Sequence, residues 1–185
     1  ALEDFLGVEP SDVQPSDYIR AVSANLFLSM VARIRQPGCQ SDHMVVLEGP
    51  QGIGKSQALR VIGGAWYALA TESVTHKDFF QSLPGVMLME IGELDAFSRA
   101  EKERVKVVVS AQVDRYRPSY GRRALDHPRQ CTLVGTTNRY DWGNDDTGLR
   151  RFWPVRCRAR VDLDGLAQAR AQLFAEADAH LAAGA

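Results

Sequence analysis

The octapeptide Gly49-Pro50-Gln51-Gly52-Ile53-Gly54-Lys55-Ser56 matches G-x-x-x-x-G-K-[ST] at every specified position. Gly52 and Gly54 let the backbone curl so that successive N–H groups point inward at a phosphate. A helix opening at the end of the loop adds its N-terminal partial positive charge. Lys55 is placed to bridge β- and γ-phosphates, and the Ser56 hydroxyl to complete a Mg²⁺ shell. The bland alternative is a glycine-rich turn before a helix, and the flanking sequence weighs against it.

Met44 to Leu47 is a short apolar run leading into the glycines, as a buried strand would be. Lys55 to Ala70 reads as a helix weakened by Gly63-Gly64. Upstream, Ile19, Val22, Leu26, Met30 and Ile34 recur at helical spacing between Ser16 and Arg35, with Ser16 as the cap and Pro37-Gly38 as the stop. The acidic, proline-bearing opening, residues 1–15, reads as a loosely attached lead-in. Downstream, Val86 to Ile91 is a second strand, and Ser98 to Ala111 a helix with Ser98 and Glu101 as a capping box. Tyr116 to Arg129 is expected to form a hairpin or ordered loop. Cys131 to Gly135 is a third strand, Phe152 to Val155 and Cys157 to Val161 are extended, and Leu163 to Ala183 is an Ala-rich helix. Helices alternating with short buried strands predict a parallel sheet in an α/β layered fold, with residues 16–185 as one domain.

A nucleotide-hydrolysing loop of this kind needs acids at the end of a neighbouring strand. Val86-Met87-Leu88-Met89-Glu90-Ile91-Gly92-Glu93-Leu94-Asp95 supplies three. Glu90 falls where a metal-binding acid would lie. Glu93, past the strand end, suits a water-polarising acid. Asp95 could instead cap the following helix. Leu133-Val134-Gly135-Thr136-Thr137-Asn138 is an apolar strand with a polar end, and the Asn138 amide could reach a γ-phosphate or its water. A turn-forming asparagine is the plainer alternative. Arg150 and Arg151, before the apolar Phe152-Trp153, could reach a phosphate bound by a neighbouring subunit, or pair with Asp145 or Asp146.

Arg115-Tyr116-Arg117-Pro118-Ser119-Tyr120-Gly121-Arg122-Arg123 interleaves arginines, which neutralise backbone phosphates, with tyrosines, which stack on bases. Arg115, Tyr116, Arg117, Tyr120, Arg122 and Arg123 are thus candidates for contact with single-stranded DNA. A structural loop with its tyrosines packed inward is the alternative.

Composition sets the frame. The 185 residues are 45% hydrophobic and 24% charged, ordinary for a soluble globular domain. The net charge of −1 hides a basic segment from Arg99 to Arg160 with 15 Lys and Arg against 7 Asp and Glu. Such a segment suits a polyanion or an acidic neighbouring subunit. Cys39, Cys131 and Cys157 are scattered and never in CxxC spacing, which argues against a zinc site or disulfide framework and suits a reducing cytoplasm. No apolar run approaches the roughly 18 to 20 residues of a membrane span. The chain opens on Ala1 without an initiator methionine or signal pattern, and is expected to be a piece of a longer protein.

The ordered set GPQGIGKS, MEIGELD, VDRYRPSYGRR, GTTN and DDTGLRRFWPV resembles the virulence-associated protein E family. These are P-loop ATPases of phages, plasmids and genomic islands, related to superfamily 3 helicases and the AAA+ class. The resemblance runs from about Tyr18 to the C-terminal helix. It implies a Walker A loop at Gly49, Pro50, Gln51, Gly52, Ile53, Gly54, Lys55 and Ser56, with Gln57 next to it among the nucleotide-binding residues, and a Walker B region at Glu90 and Glu93. It further implies sensor 1 at Asn138, arginine-finger candidates at Arg150 and Arg151, and a DNA-contacting element at Asp114 to Arg123. Gln57 and Leu149 stand where the family often has Thr and Asn. Implied with these are ATP and Mg²⁺ (held by Ser56, Glu90 and Glu93), a hexameric ring, a bacterial host cytoplasm, and helicase or translocase work in mobile-element replication. A nucleotide-dependent switch with little turnover, or a phosphotransferase on a small acceptor, are the rival activities.

Overall fold

The computed structural model describes residues 2–142 and 149–184. In chain order the elements are α1 (Leu2–Phe5), α2 (Ser16–Arg35), β1 (Met44–Glu48), α3 (Lys55–Gly63), β2 (Tyr67–Leu69), α4 (Lys77–Gln81), β3 (Leu88–Ile91), α5 (Arg99–Val109), β4 (Val113–Tyr116), β5 (Leu125–Pro128), β6 (Thr132–Thr137), β7 (Phe152–Arg156) and α6 (Leu163–Ala182). Single 3₁₀ turns lie at Gly64–Trp66, Leu94–Ala96 and Leu149–Arg151.

β1, β3 and β6 are buried at every position, as uninterrupted apolar strands must be when helices cover both faces. They form the middle of a five-stranded sheet of order β2-β3-β6-β1-β7, parallel at every pairing. One apolar cluster packs Leu26, Met30, Leu59 and Leu166 of α2, α3 and α6 against Val45, Leu47 and Val134 of the sheet. The other packs Phe79, Val105 and Val109 of α4 and α5 against Met89, Ile91 and Leu133. The parallel arrangement brings the C-terminal ends of all five strands to one edge, where open α/β sheets hold their ligands. Among the described residues no helix is long and apolar enough to cross a membrane.

The expected α/β layering is present, and four local expectations change. The opening segment is not loosely attached. Leu2, Leu6 and Val8 are buried in the first cluster, Val8 bridges Cys157, and the buried Gln14 side chain donates to Glu9 O and Arg156 O. Burying three aliphatic side chains outweighs the two prolines that suggested a free tail. Ser16 does not cap α2. Pro15 occupies the N-cap, and the Ser16 hydroxyl donates to Glu3 Oε1 at 2.8 Å, tying α1 to α2. The helix expected through Ala70 ends at Gly63, because Gly64 turns to φ +56° and the chain returns as edge strand β2. Cys157 to Val161 is not a strand; Cys157 makes one antiparallel bridge.

Other features stand where they were expected. Ser98 and Glu101 form a reciprocal capping box on α5. Cys131 and Cys157 are buried and Cys39 is half-buried. β4 and β5 pair as an antiparallel hairpin. Beneath it Arg129, 2% exposed, makes a two-pronged ion pair with the equally buried Asp114 and also donates to Val108 O.

Because Leu6 is 1% exposed, Leu6→Ala should lower stability by about 2–4 kcal/mol, read from the midpoint of urea unfolding. A change under about 0.5 kcal/mol, the usual size for a surface position, would return the opening segment to a loosely held one.

Candidate functional site

The glycine-rich loop leaves β1 and enters α3 through Gly54, whose φ of +103° places the N-cap in the left-handed region that favours glycine. The turn delivers Lys55 and Ser56 to the first turn of α3, at the C-terminal edge of the sheet. Lys55 is 7% exposed, and its Nζ donates to Gly49 O at 2.6 Å, Pro50 O at 2.8 Å and Asn138 Oδ1 at 3.1 Å. All three acceptors are uncharged. A buried ammonium satisfied only by carbonyls is complementary to an anion that would replace them. Burial pushes this amine below its ordinary value, an effect opposed by Asp95 and Glu90 nearby.

Glu90, in β3, is 1% exposed and accepts three hydroxyl hydrogen bonds. Ser56 Oγ (2.6 Å) and Thr136 Oγ1 (2.8 Å) donate to Oε1, and Tyr67 OH (2.6 Å) donates to Oε2. The Ser56 proton is therefore committed to Glu90, which leaves the hydroxyl lone pairs free to meet a cation. Glu93 follows the strand in the left-handed region (φ 54°) and is exposed on the wall of the same cleft. Asp95 does not cap α5, a position Ser98 holds. It accepts instead from Thr137 Oγ1 (2.8 Å) and the Asn138 N–H (3.3 Å). Burial works against the Asp95 anion, and these hydrogen bonds outweigh it, holding the carboxyl below its usual range.

The cleft encloses about 640 Å³. Gln51, Gly52, Gly54, Lys55, Ser56, Gln57, Glu90, Glu93 and Asn138 line it, together with Thr136, Thr137 and an apolar wall of Leu69, Ala70, Ala96 and Phe97. Gly49 and Pro50 contribute carbonyls to Lys55 from behind, and Ile53 packs against the apolar core. Sequence reasoning missed Tyr67, which it had placed inside a helix, and gave no role to the Thr136 hydroxyl. The Gly63-Gly64 pair was the available signal for the first.

Arg150 and Arg151 are not brought to this cleft. They precede β7, whose first residue Phe152 pairs with Met44 at the start of β1, so they lie at the opposite edge of the sheet. Phe152 is buried and Trp153 stacks on His43 with ring centroids 4.1 Å apart, anchoring the stretch after them. Asp145 and Asp146, the alternative partners, lie outside the described residues.

The hairpin exposes Arg115, Arg117, Arg122 and Arg123, with Tyr120 fully exposed at its tip. Arg115 pairs across the strands with Asp126 at 2.9 Å. Tyr116 faces inward, 9% exposed and stacked on His127 at 4.3 Å, so its ring is part of the hairpin's packing and presents no open face to a base.

The virulence-associated protein E-like domain family matches residues 1–185. Two solved structures with the same fold are the A-form apo structure of the NrS-1 C-terminal region and a second A-form apo structure of that region, residues 305–718. The first superposes with a TM-score of 0.54 at 17% identity, and the second with 0.51 at 14%. Each comparison covers 92% of this chain and 46% of the other, so the chain spans less than half the length of those structures. No curated protein matches the chain.

A carboxyl depressed in the folded state adds stability above its ordinary range and loses it as pH falls through the folded value. Asp95→Ala should therefore be less stable than the parent at neutral pH. The gap in thermal midpoint should narrow as the pH drops below the usual carboxylate range. A gap constant with pH would show that the Thr137 and Asn138 contacts do not depend on the Asp95 charge.

Proposed function

The chain belongs to the virulence-associated protein E-like family, and from that premise we propose that it is an ATP-hydrolysing motor domain acting on DNA in the replication of a mobile element. The observation that carries this reading is the convergence of Lys55, Ser56, Glu90, Glu93 and Asn138 on one cleft at the C-terminal edge of a parallel sheet. Its volume falls within the roughly 300–1,000 Å³ usual for small-ligand sites.

In this reading the loop is a P-loop and the fold is of the AAA+ type. Its backbone and Lys55 hold the β- and γ-phosphates, with the ammonium exchanging its carbonyl partners for phosphate oxygens. The donor set fits a Mg²⁺ ion: a serine hydroxyl with free lone pairs beside a buried carboxylate, with the exposed Glu93 across the same cleft. When bound, the ion neutralises charge on the phosphate oxygens. Glu90 is held by three hydroxyls and serves as the fixed acid. Glu93 takes a proton from the water that attacks the γ-phosphorus. The bond from that phosphorus to the β–γ bridging oxygen breaks, leaving ADP and phosphate. Asn138, already in contact with Lys55, orients the water or the γ-phosphate. Arg150 or Arg151 of a neighbouring subunit in a hexameric ring supplies the remaining positive charge. The exposed Arg115, Arg117, Tyr120, Arg122 and Arg123 engage single-stranded DNA through phosphates and one stacking ring.

Steady-state ATP hydrolysis, with and without single-stranded DNA and across protein concentrations, tests the reading. The rate per subunit should rise with both. Lys55→Ala should abolish turnover, and unchanged hydrolysis in that variant would overturn the nucleotide assignment. Glu93→Gln should slow turnover by about 10²–10⁴-fold with nucleotide binding retained. Binding without any turnover in the parent chain would assign a nucleotide-dependent switch instead.

A further inference from the structure

Tyr67 stands outside every motif, yet its phenol completes the shell of the most buried carboxylate in the cleft. The three hydroxyls on Glu90 come from three elements: Ser56 from α3, Thr136 from β6 and Tyr67 from edge strand β2. Ser56 and Thr136 share Oε1, whereas among the described residues Tyr67 is the one donor to Oε2. The phenol is therefore the group that fixes the carboxylate's rotation and keeps Oε1 turned toward Ser56.

Two further observations indicate that the chain is built around this contact. A Cβ at Gly63 would sit 2.6 Å from Tyr67 Cβ and 3.3 Å from Leu88 Cβ, so only glycine at the last position of α3 lets the Tyr67 side chain lie against that helix. The Arg60 guanidinium lies 5.6 Å from the centroid of the Tyr67 ring, holding it from the solvent side.

We propose that Tyr67 is a positioning residue for the divalent cation of the nucleotide site. With Oε1 accepting from Ser56 and Thr136 and Oε2 from the phenol, Glu90 meets the cation's place chiefly through the Ser56 hydroxyl it orients. Two-oxygen chelation by Glu90 would require these hydroxyls, the phenol among them, to let go. Withholding a bidentate carboxylate favours a small cation of strict octahedral geometry and disfavours a larger one that accepts such chelation. The specificity for Mg²⁺ over Ca²⁺ then rests partly on a residue that touches neither cation nor nucleotide. This inference rests on the nucleotide-site reading above.

The test is binding of a fluorescent N-methylanthraniloyl ADP to the parent chain, Tyr67→Phe and Gly63→Ala, with Mg²⁺ or Ca²⁺ titrated and thermal unfolding as the fold control. Tyr67→Phe keeps the ring and removes only the donor. It should bind the labelled ADP in EDTA with the parent's Kd but need about tenfold more Mg²⁺ for half-saturation, as loss of one charge-assisted hydrogen bond implies. Its preference for Mg²⁺ over Ca²⁺ should fall, a readout that a purely structural role of the ring would not move. Gly63→Ala displaces the ring without altering the hydroxyl and should shift both titrations in the same direction; it carries the expectation alone should Tyr67→Phe not fold. Metal titrations matching the parent's in the folded variants would overturn the role of Tyr67 and leave the nucleotide site standing. Failure of the parent chain to bind the labelled ADP at all would overturn the nucleotide reading and this inference with it.

Discussion

A carboxylate that is 1% exposed survives in a protein interior only where hydrogen bonds replace the water it has lost, and Glu90 obtains three. That requirement fixes a good deal of the surrounding chain. β6 must lie beside β3 in the register that sets Glu90 against Val134, so that Thr136 reaches the same oxygen as Ser56. α3 must start at the loop and bring Ser56 to its first turn. It must also stop at Gly63, so that the chain can return as β2 and deliver Tyr67. The Leu69–Glu90 pairing of β2 with β3 then supplies the last hydroxyl. Replacing the carboxylate by an apolar side chain would leave the buried Thr136 hydroxyl without its acceptor and free the half-buried Tyr67 and the exposed Ser56 from the orientation it imposes.

Much of this was legible in the sequence because it depends on patterns a few residues long. The glycine-rich loop, the apolar runs of β1, β3 and β6, and the Ser98–Glu101 capping box are all local, and each stands where its residues placed it. What escaped depends on contacts between distant segments. Tyr67 belongs to a run with adequate helix propensity, and only the tertiary demand of Glu90, together with the left-handed turn at Gly64, makes it a strand. The opening residues look like a free tail because prolines and acids dominate their composition. Their burial depends on Cys157 and α6, some 150 residues away in sequence. Asp95 was read as a helix cap because caps are recognised by their neighbours, whereas its partners are Thr137, the last residue of β6, and Asn138 just past it.

The hairpin shows the same division on its two faces. Alternation along β4 turns Asp114 and Tyr116 inward and Val113 and Arg115 outward. Residues one apart in a basic aromatic segment therefore have opposite fates. The inward face is stiffened by the Arg129–Asp114 pair and the Tyr116–His127 stack. Breaking one partner of such a buried pair is strongly destabilising because it strands a charge. The arginines and Tyr120 on the outward side are thus carried on a base stiffened from within, which under the proposed function spares them the ordering cost of a free loop.

Glu48 ties the root of the glycine-rich loop to Trp142 and to the last strand, where it pairs with Arg156. This buried acid ends β1 immediately before the glycine-rich loop. Trp142 Nε1 donates to its Oε1 at 2.6 Å, and Arg156 Nε to its Oε2 at 3.3 Å. Burial raises the Glu48 carboxyl, and the contacts with Trp142 and Arg156 oppose that rise. In sequence, Trp142 and Arg156 flank Arg150 and Arg151, and both donate to this acid at the root of the loop. Asn138, four residues before Trp142, touches Lys55 on the loop's other side. The five residues of β7 put about 16 Å of strand between the arginines and the loop edge. Under the proposed function, any phosphate they reach is another subunit's.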